Sequence, residues 1–231
     1  MVEFPEGAEL VPNPVNRVPG FSLREGYFLP GFLFQSVVIA GGYGTGRELV
    51  EFFLTQGPLG GLLALQAALS MPDRVARLVL VAATPRFVQG PDWAPAMARA
   101  TLEQFGAALV RDPETTLDRF LGLQVRGSDQ ARTTLRRLRA GLRERPAPRA
   151  EALEQGLALL LHADLRSRLP DLQVPSLWLQ GERDTLVPAA LADVLAPRLP
   201  AAEFALMAGA GHAPFLSHGS DFAGRLRGFL Q

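Results

Sequence analysis

The residues best suited to chemistry lie in the C-terminal third of the chain. Gly181-Glu182-Arg183-Asp184-Thr185-Leu186-Val187-Pro188 directly follows one predicted strand, and Gly211-His212-Ala213-Pro214-Phe215 directly follows the next. An acid on the loop after one strand and a histidine on the loop after the following strand can converge at one edge of a parallel sheet. There the carboxylate can hold one ring nitrogen of the imidazole while the other nitrogen takes a proton. Alone, Asp184 reads as a turn residue; with His212 one strand–helix unit later, it reads as the acid of an acid–base pair. His218 reads as structural and His162 as a helix-face residue, and three histidines this far apart, without cysteine, have no metal-site spacing. Trp93 and Trp178 read as packing residues. Gly41-Gly42-Tyr43-Gly44-Thr45-Gly46 lies between a strand-like and a helix-like run, as in a dinucleotide-binding unit. Its spacing misses Gly-x-Gly-x-x-Gly by one residue, and Gln66 stands about 20 residues on, where a ribose-binding acid would be expected, so a glycine-rich turn is the simpler reading.

The elements that must position these groups alternate in type. Short β-branched or apolar runs predict strands over 36–40, 78–82, 175–180 and 204–207. Helical patterns are predicted at 60–70, stopped near Met71-Pro72, and at 221–230, closing the chain. Residues 1–35 are rich in Pro and Gly and read as irregular; 49–55 fits a strand or a helix end. Between about 90 and 165 strand signals disappear. Helix spacing recurs over 96–110, 114–124, 128–143 and 150–163, broken by Asp-Pro, Gly-Ser and Pro-Ala-Pro. The expectation is an α/β core from 1–88 and 164–231, with a mostly parallel sheet and helices on both faces. A four-helix cap over 89–163 would cover the C-terminal edge of the strands, where ligands sit in open α/β sheets.

Composition excludes several classes. The chain has 231 residues, 48% apolar and 20% charged, so it can bury a core and is not mainly disordered. With no cysteine it is not a disulfide scaffold. Its 23 basic residues, all Arg, balance 23 acids, leaving no global field for nucleic acid or an anionic membrane. The acidic, Pro-broken start is unlike a signal peptide, and no apolar stretch is long enough to span a bilayer. The default expectation is a cytoplasmic protein, a monomer, with no nucleic-acid or membrane partner. Locally, charge is uneven: nine arginines face two acids, Asp129 and Glu144, between Arg119 and Arg149. Arg132, Arg136, Arg139 and Arg143 form one helical stripe, and Leu135, Leu138 and Leu142 form another that should face the core.

From about Leu59 to the end, the chain resembles an α/β-hydrolase, specifically the pimeloyl-[acyl-carrier protein] methyl ester esterase family of biotin synthesis. The pieces are Leu59-Gly60-Gly61, Pro72-Asp73-Arg74-Val75, Thr84-Pro85-Arg86-Phe87, Asp92-Trp93, Arg119-Phe120-Leu121-Gly122-Leu123-Gln124, the Asp184 segment and His212-Ala213-Pro214-Phe215-Leu216-Ser217-His218. The last is the most specific to this esterase. The resemblance implies a carboxylesterase of the serine type, without cofactor or metal, acting on a methyl-esterified acyl chain borne by acyl carrier protein. It implies that Asp184 and His212 are the acid and base, and that Leu59 gives an oxyanion-hole amide. It further implies that Phe120, Leu121, Gly122, Leu123 and Gln124 line the acyl channel, and that Arg119, Arg132 and Arg136 contact the carrier. A fourth carrier-contacting arginine would fall at Thr115. An arginine face beside an acyl channel suits an acidic carrier with a phosphopantetheine arm on independent grounds.

The N-terminal part departs from this pattern. The family's Gly-x-Ser-x-Gly turn aligns with Gln56 at the first Gly and Pro58 at the nucleophile serine. Proline has no hydroxyl, and its ring fixes φ near −65°, whereas the turn holds its nucleophile in a sparsely allowed backbone region. Ser36, Thr55 and Ser70 have no comparable setting, and no His-Gly-type oxyanion loop is visible before His162. Residues 1–58 are also short of the family's early strand–helix units, so an incomplete N-terminal set of strands is expected. Competing readings are a non-catalytic acyl or acyl-carrier-protein binding protein of the same fold, a nucleotide-binding module at 37–54, and an altered N-terminus joined to an esterase remainder.

Overall fold

The computed structural model describes residues 9–11, 20–23, 26–28, 59–143 and 150–230. Among the described residues the parallel sheet has three strands in the order β4-β5-β6, formed by Leu78–Val81, Ser176–Gly181 and Ala202–Met207. Leu80 pairs with Trp178, and Trp178 with Phe204, so large apolar side chains line up across the strands. Every residue of β4 and β5 is buried, as expected of parallel strands covered on both faces. β6 is more open, with Glu203 and Ala205–Leu206 partly or largely exposed and Met207 buried. One face of the sheet presents Leu78, Leu80 and Trp178 to Leu62, Leu65 and Leu69 of helix α1, Leu59–Ser70. The other presents Val79, Val81, Leu177 and Leu179 to Phe222, Leu226 and Phe229 of the closing helix, Gly219–Leu230. A mostly parallel sheet with helices on both faces is therefore what the described residues form. α1 ends where expected, because Pro72 cannot continue it and opens a 3₁₀ turn at Pro72–Arg74.

The N-terminal expectation needs correction. The segment read as irregular contains three short antiparallel strands, Glu9–Val11 (β1), Gly20–Leu23 (β2) and Gly26–Phe28 (β3), in a β1-β2-β3 meander. Three or four residues are too few to display the alternation from which a strand is read. The strand expected at 36–40, the run 49–55, the glycine segment 41–46, Ser36, Thr55 and Pro58 lie outside the described residues.

Four helices follow β4, as the spacing predicts: α2 (Arg99–Arg111), α3 (Pro113–Val125), α4 (Ala131–Arg143) and α5 (Ala150–His162). The Asp-Pro break is a helix start, with Pro113 in the first turn and the Asp112 side chain accepting the Thr115 N–H at 3.2 Å. α3 and α4 pack together, and Arg139 crosses between them to grip Asp118 bidentately at 2.6 and 2.7 Å. Leu138 is buried with Val125, Ala213 and Leu216, and Leu135 packs against that cluster, so these two members of the leucine stripe face inward.

An ion-pair network ties the start of this helical block to its end. Arg166 binds Asp164 through two bonds of 2.8 Å and reaches Asp92 at 2.8 Å, and Arg86 binds Asp164 at 2.7 Å. The Arg166 guanidinium lies 5.3 Å from the centre of the Trp93 ring, whose Nε1 donates to the Arg86 carbonyl at 2.9 Å. Trp93 is thus a packing residue, 1% exposed. Hydrogen bonding from Arg166, more than any other contact, lowers the Asp164 carboxyl from 3.8 to about 2. A carboxyl titrating below its unfolded value stabilises the native state above the unfolded pKa, and that contribution fades as pH falls through about 2. Asp164→Asn is expected to lower stability near neutral pH by about 1 kcal/mol, the modest size set by partial solvent exposure. Urea melts at pH 7 and at about pH 2 check this; the gap between wild type and variant should close at the lower pH.

Candidate active site

The acid loop begins where β5 ends. Gly181 has no room for a side chain, because a Cβ there would run into the carbonyls of Ala210 and Gly211. The chain then turns through Asp184, whose Oδ1 accepts the backbone N–H groups of Leu186 (2.8 Å) and Val187 (3.0 Å). An aspartate bonding to amides two and three residues on makes a self-locking turn. This fixes the carboxylate and leaves Oδ2 free to face His212, whose Nδ1 lies 2.8 Å away. The Asp184 side chain is fully buried and that of His212 only 10% exposed. Two amides and an imidazole satisfy a carboxylate that burial alone would penalise.

Backbone contacts hold His212 in turn. Its N–H donates to the Gln124 carbonyl at 2.9 Å, and Pro214 directly starts the short helix Pro214–Ser217. With Asp184 accepting at Nδ1, the proton of a neutral imidazole is assigned to that nitrogen, and Nε2 carries the free lone pair. Such a pair can take a proton from a hydroxyl or water and return it to a leaving group.

The other expected positions divide into groups. Gln124 meets the His212 loop through its carbonyl. Phe120 stacks at a tilt on Phe105, with ring centres 5.4 Å apart, and Leu121 packs on the Val125–Leu138–Ala213–Leu216 cluster. A Cβ at Gly122 would meet nothing within 4 Å, and Leu123 is exposed. Leu59 is the first residue of α1, where backbone N–H groups have no intrahelical acceptor. Arg119, Arg132 and Arg136 are exposed, whereas Arg139, on the same predicted stripe, is engaged by Asp118. Ser70 ends α1 and accepts a hydrogen bond from Gln66. His218 is half-buried with Nδ1 2.8 Å from Ser217 Oγ, and His162 is exposed at the end of α5. One contributor escaped the sequence reading: Glu182, whose Oε2 accepts the Gly209 N–H at 2.8 Å and so joins the acid and base loops. Its place beside Asp184 was the available signal, but an exposed glutamate next to a turn is usually only solvated.

Comparison with known proteins gives the family and the fold. The family model described as alpha/beta hydrolase fold matches residues 59–219. The pimeloyl-[acyl-carrier protein] methyl ester esterase of Xanthomonas oryzae pv. oryzae (strain MAFF 311018) is 50% identical over 172 residues, covering 74% of this chain and 68% of that protein. The protein of the same name from Stenotrophomonas maltophilia (strain K279a) is 49% identical over 172 residues, covering 74% of this chain and 66% of its own length. Among solved structures, an esterase from Exiguobacterium antarcticum superposes with a TM-score of 0.66 at 21% identity, over 74% of this chain and 63% of that one. A bromoperoxidase from Bacillus anthracis gives 0.64 at 21% identity, over 75% and 64%. At that identity the structural likeness is one of fold. This chain belongs to the alpha/beta hydrolase fold family and, within it, to the family of pimeloyl-[acyl-carrier protein] methyl ester esterases.

Proposed function

We propose that this chain recognises the methyl ester of a pimeloyl group borne on acyl carrier protein and supplies the acid–base half of its hydrolysis. The observation that carries the proposal is the buried 2.8 Å contact between Asp184 and His212. In this reading His212 Nε2 takes a proton from an attacking water, whose oxygen bonds the ester carbonyl carbon as the C–O bond to the methoxy group breaks, and gives that proton to the departing methanol. Asp184 holds the ring and offsets its positive charge, and the Leu59 N–H faces the oxyanion. Phe120, Leu121, Gly122, Leu123 and Gln124 border the acyl channel, in keeping with the open space at Gly122. Arg119, Arg132 and Arg136 take the acidic carrier, in keeping with their exposure and the surplus of arginine around them. The helical segment 89–163 acts as the cap.

The family's attacking hydroxyl belongs at position 58, where this chain has proline. That observation favours a second reading, in which the site binds carrier or acyl chain without covalent turnover. One experiment separates the two: binding of methyl-pimeloyl acyl carrier protein and release of methanol, measured together on the same chain. Binding that weakens with salt, and about tenfold further with Arg132→Glu or Arg136→Glu, supports carrier recognition by these arginines. Methanol release abolished by His212→Ala supports hydrolysis; binding without release supports the second reading. Binding indifferent to both salt and the arginine variants would remove the carrier from the proposal.

A further inference from the structure

Three segments distant in sequence meet at the corner between α3 and α4. The Gln124 carbonyl accepts the His212 N–H at 2.9 Å, and the Asp129 N–H donates to the Gly209 carbonyl at 3.1 Å. Arg183, next to Asp184, donates through Nη1 to the Gly127 carbonyl at 3.1 Å and pairs with the Asp129 carboxylate. The Arg183 N–H donates to the Ala210 carbonyl at 2.9 Å. Residues 124–129 therefore grip the acid loop and the base loop at once.

Glycines make this approach possible. Gly127 and Gly209, with φ of 79° and 71°, are the glycines of positive φ among the described residues, and both lie in this joint. A Cβ on Gly209 would run into the Asp129 carboxylate, and one on Gly211 would lie 3.0 Å from the Gln124 carbonyl. Side chains at these positions would hold the loops apart.

We infer that the α3–α4 corner is a latch that positions the acid–base pair, with Asp129 the positioning residue that closes it. Asp129 touches neither Asp184 nor a reacting atom in this reading. It acts by holding Arg183 and Gly209, which lie one residue before Asp184 and three before His212. An exposed ion pair contributes little alone; here it locks a joint already made by backbone hydrogen bonds, where one loose member loosens the rest. The latch leads directly into α4, so the corner that sets the His212 loop also opens the helix that bears Arg132 and Arg136. The inference rests on the reading of Asp184 and His212 as acid and base.

The test is NMR on the ¹⁵N-labelled full chain, as wild type, Asp129→Ala and Asp129→Glu. The readouts are amide hydrogen exchange at His212 and at the core residue Leu179, and the His212 Nδ1 proton bonded to Asp184. Asp129→Ala is expected to speed exchange at His212 about tenfold, leave Leu179 unchanged and abolish the Nδ1 signal. Asp129→Glu, which keeps the carboxylate, is expected to restore protection and signal. Unchanged exchange at His212 in Asp129→Ala would overturn the latch, and so would equal acceleration at His212 and Leu179, which marks general loosening. A wild-type chain with a protected His212 amide but no Nδ1 signal would overturn the acid–base reading and leave the latch standing.

Discussion

Pro58→Ser is expected to raise kcat/KM for a short p-nitrophenyl ester by on the order of 10³-fold or more, with the rest of the chain unchanged. The argument is chemical. Serine hydrolysis proceeds through an acyl-enzyme, so an oxygen of the protein must attack and carry the acyl group. Proline offers no such atom, and an oxyanion hole with an acid–base pair retains only the residual rate left when a triad member is removed. Serine also lifts the ring restraint on φ, so the backbone can take the strained posture of a strand-to-helix turn. The helix that follows begins at Leu59, so a serine at 58 stands immediately before free helical amides. Steady-state release of p-nitrophenol by wild type and variant gives the ratio. No gain would mean that the oxyanion side of the site is not assembled.

In the Pro58→Ser chain, His212→Ala and Asp184→Asn are each expected to cost about 10⁴-fold in kcat, with KM little changed. The two losses have different origins. Alanine removes the base. Asparagine keeps the shape but brings an NH₂ group to a position that accepts hydrogen bonds from the imidazole and from the amides of Leu186 and Val187. To avoid a donor–donor clash, His212 must place its proton on Nε2, and the lone pair then points away from substrate. Because the Asp184 side chain is fully buried, water cannot repair the mismatch. A fall in kcat without a rise in KM separates lost transition-state stabilisation from lost binding.

Parts of this arrangement are legible in the sequence. β4 and β5 stand out because strands buried on both faces are rich in apolar residues: Leu78–Val81 is wholly apolar, and Leu177–Leu179 is an apolar run between Pro175 and Gly181. Asp184 and His212 were legible as a pair because both loops leave the same edge of a parallel sheet, which sequence order alone implies. The strands β1 to β3 were not, since three- and four-residue runs carry no period. The engagement of Arg139 by Asp118 was hidden because it depends on how α3 crosses α4, not on spacing within either helix. Residues 120–124 lie on helix α3, which turns them to different sides. Leu121 and Val125, four residues apart, share a face and pack on Leu138, while Leu123 faces outward. The latch around Asp129 was invisible for the same reason: its partners lie more than 50 residues away, and only the folded corner brings them together.

The most direct test of the central claim is covalent labelling with a fluorophosphonate, which reacts with a hydroxyl only where an adjacent base activates it. The Pro58→Ser chain should be labelled stoichiometrically at residue 58, and the same chain with His212→Ala should label at a small fraction of that rate. Labelling that proceeds equally well without His212 would show that Asp184 and His212 are neighbours that do no acid–base chemistry.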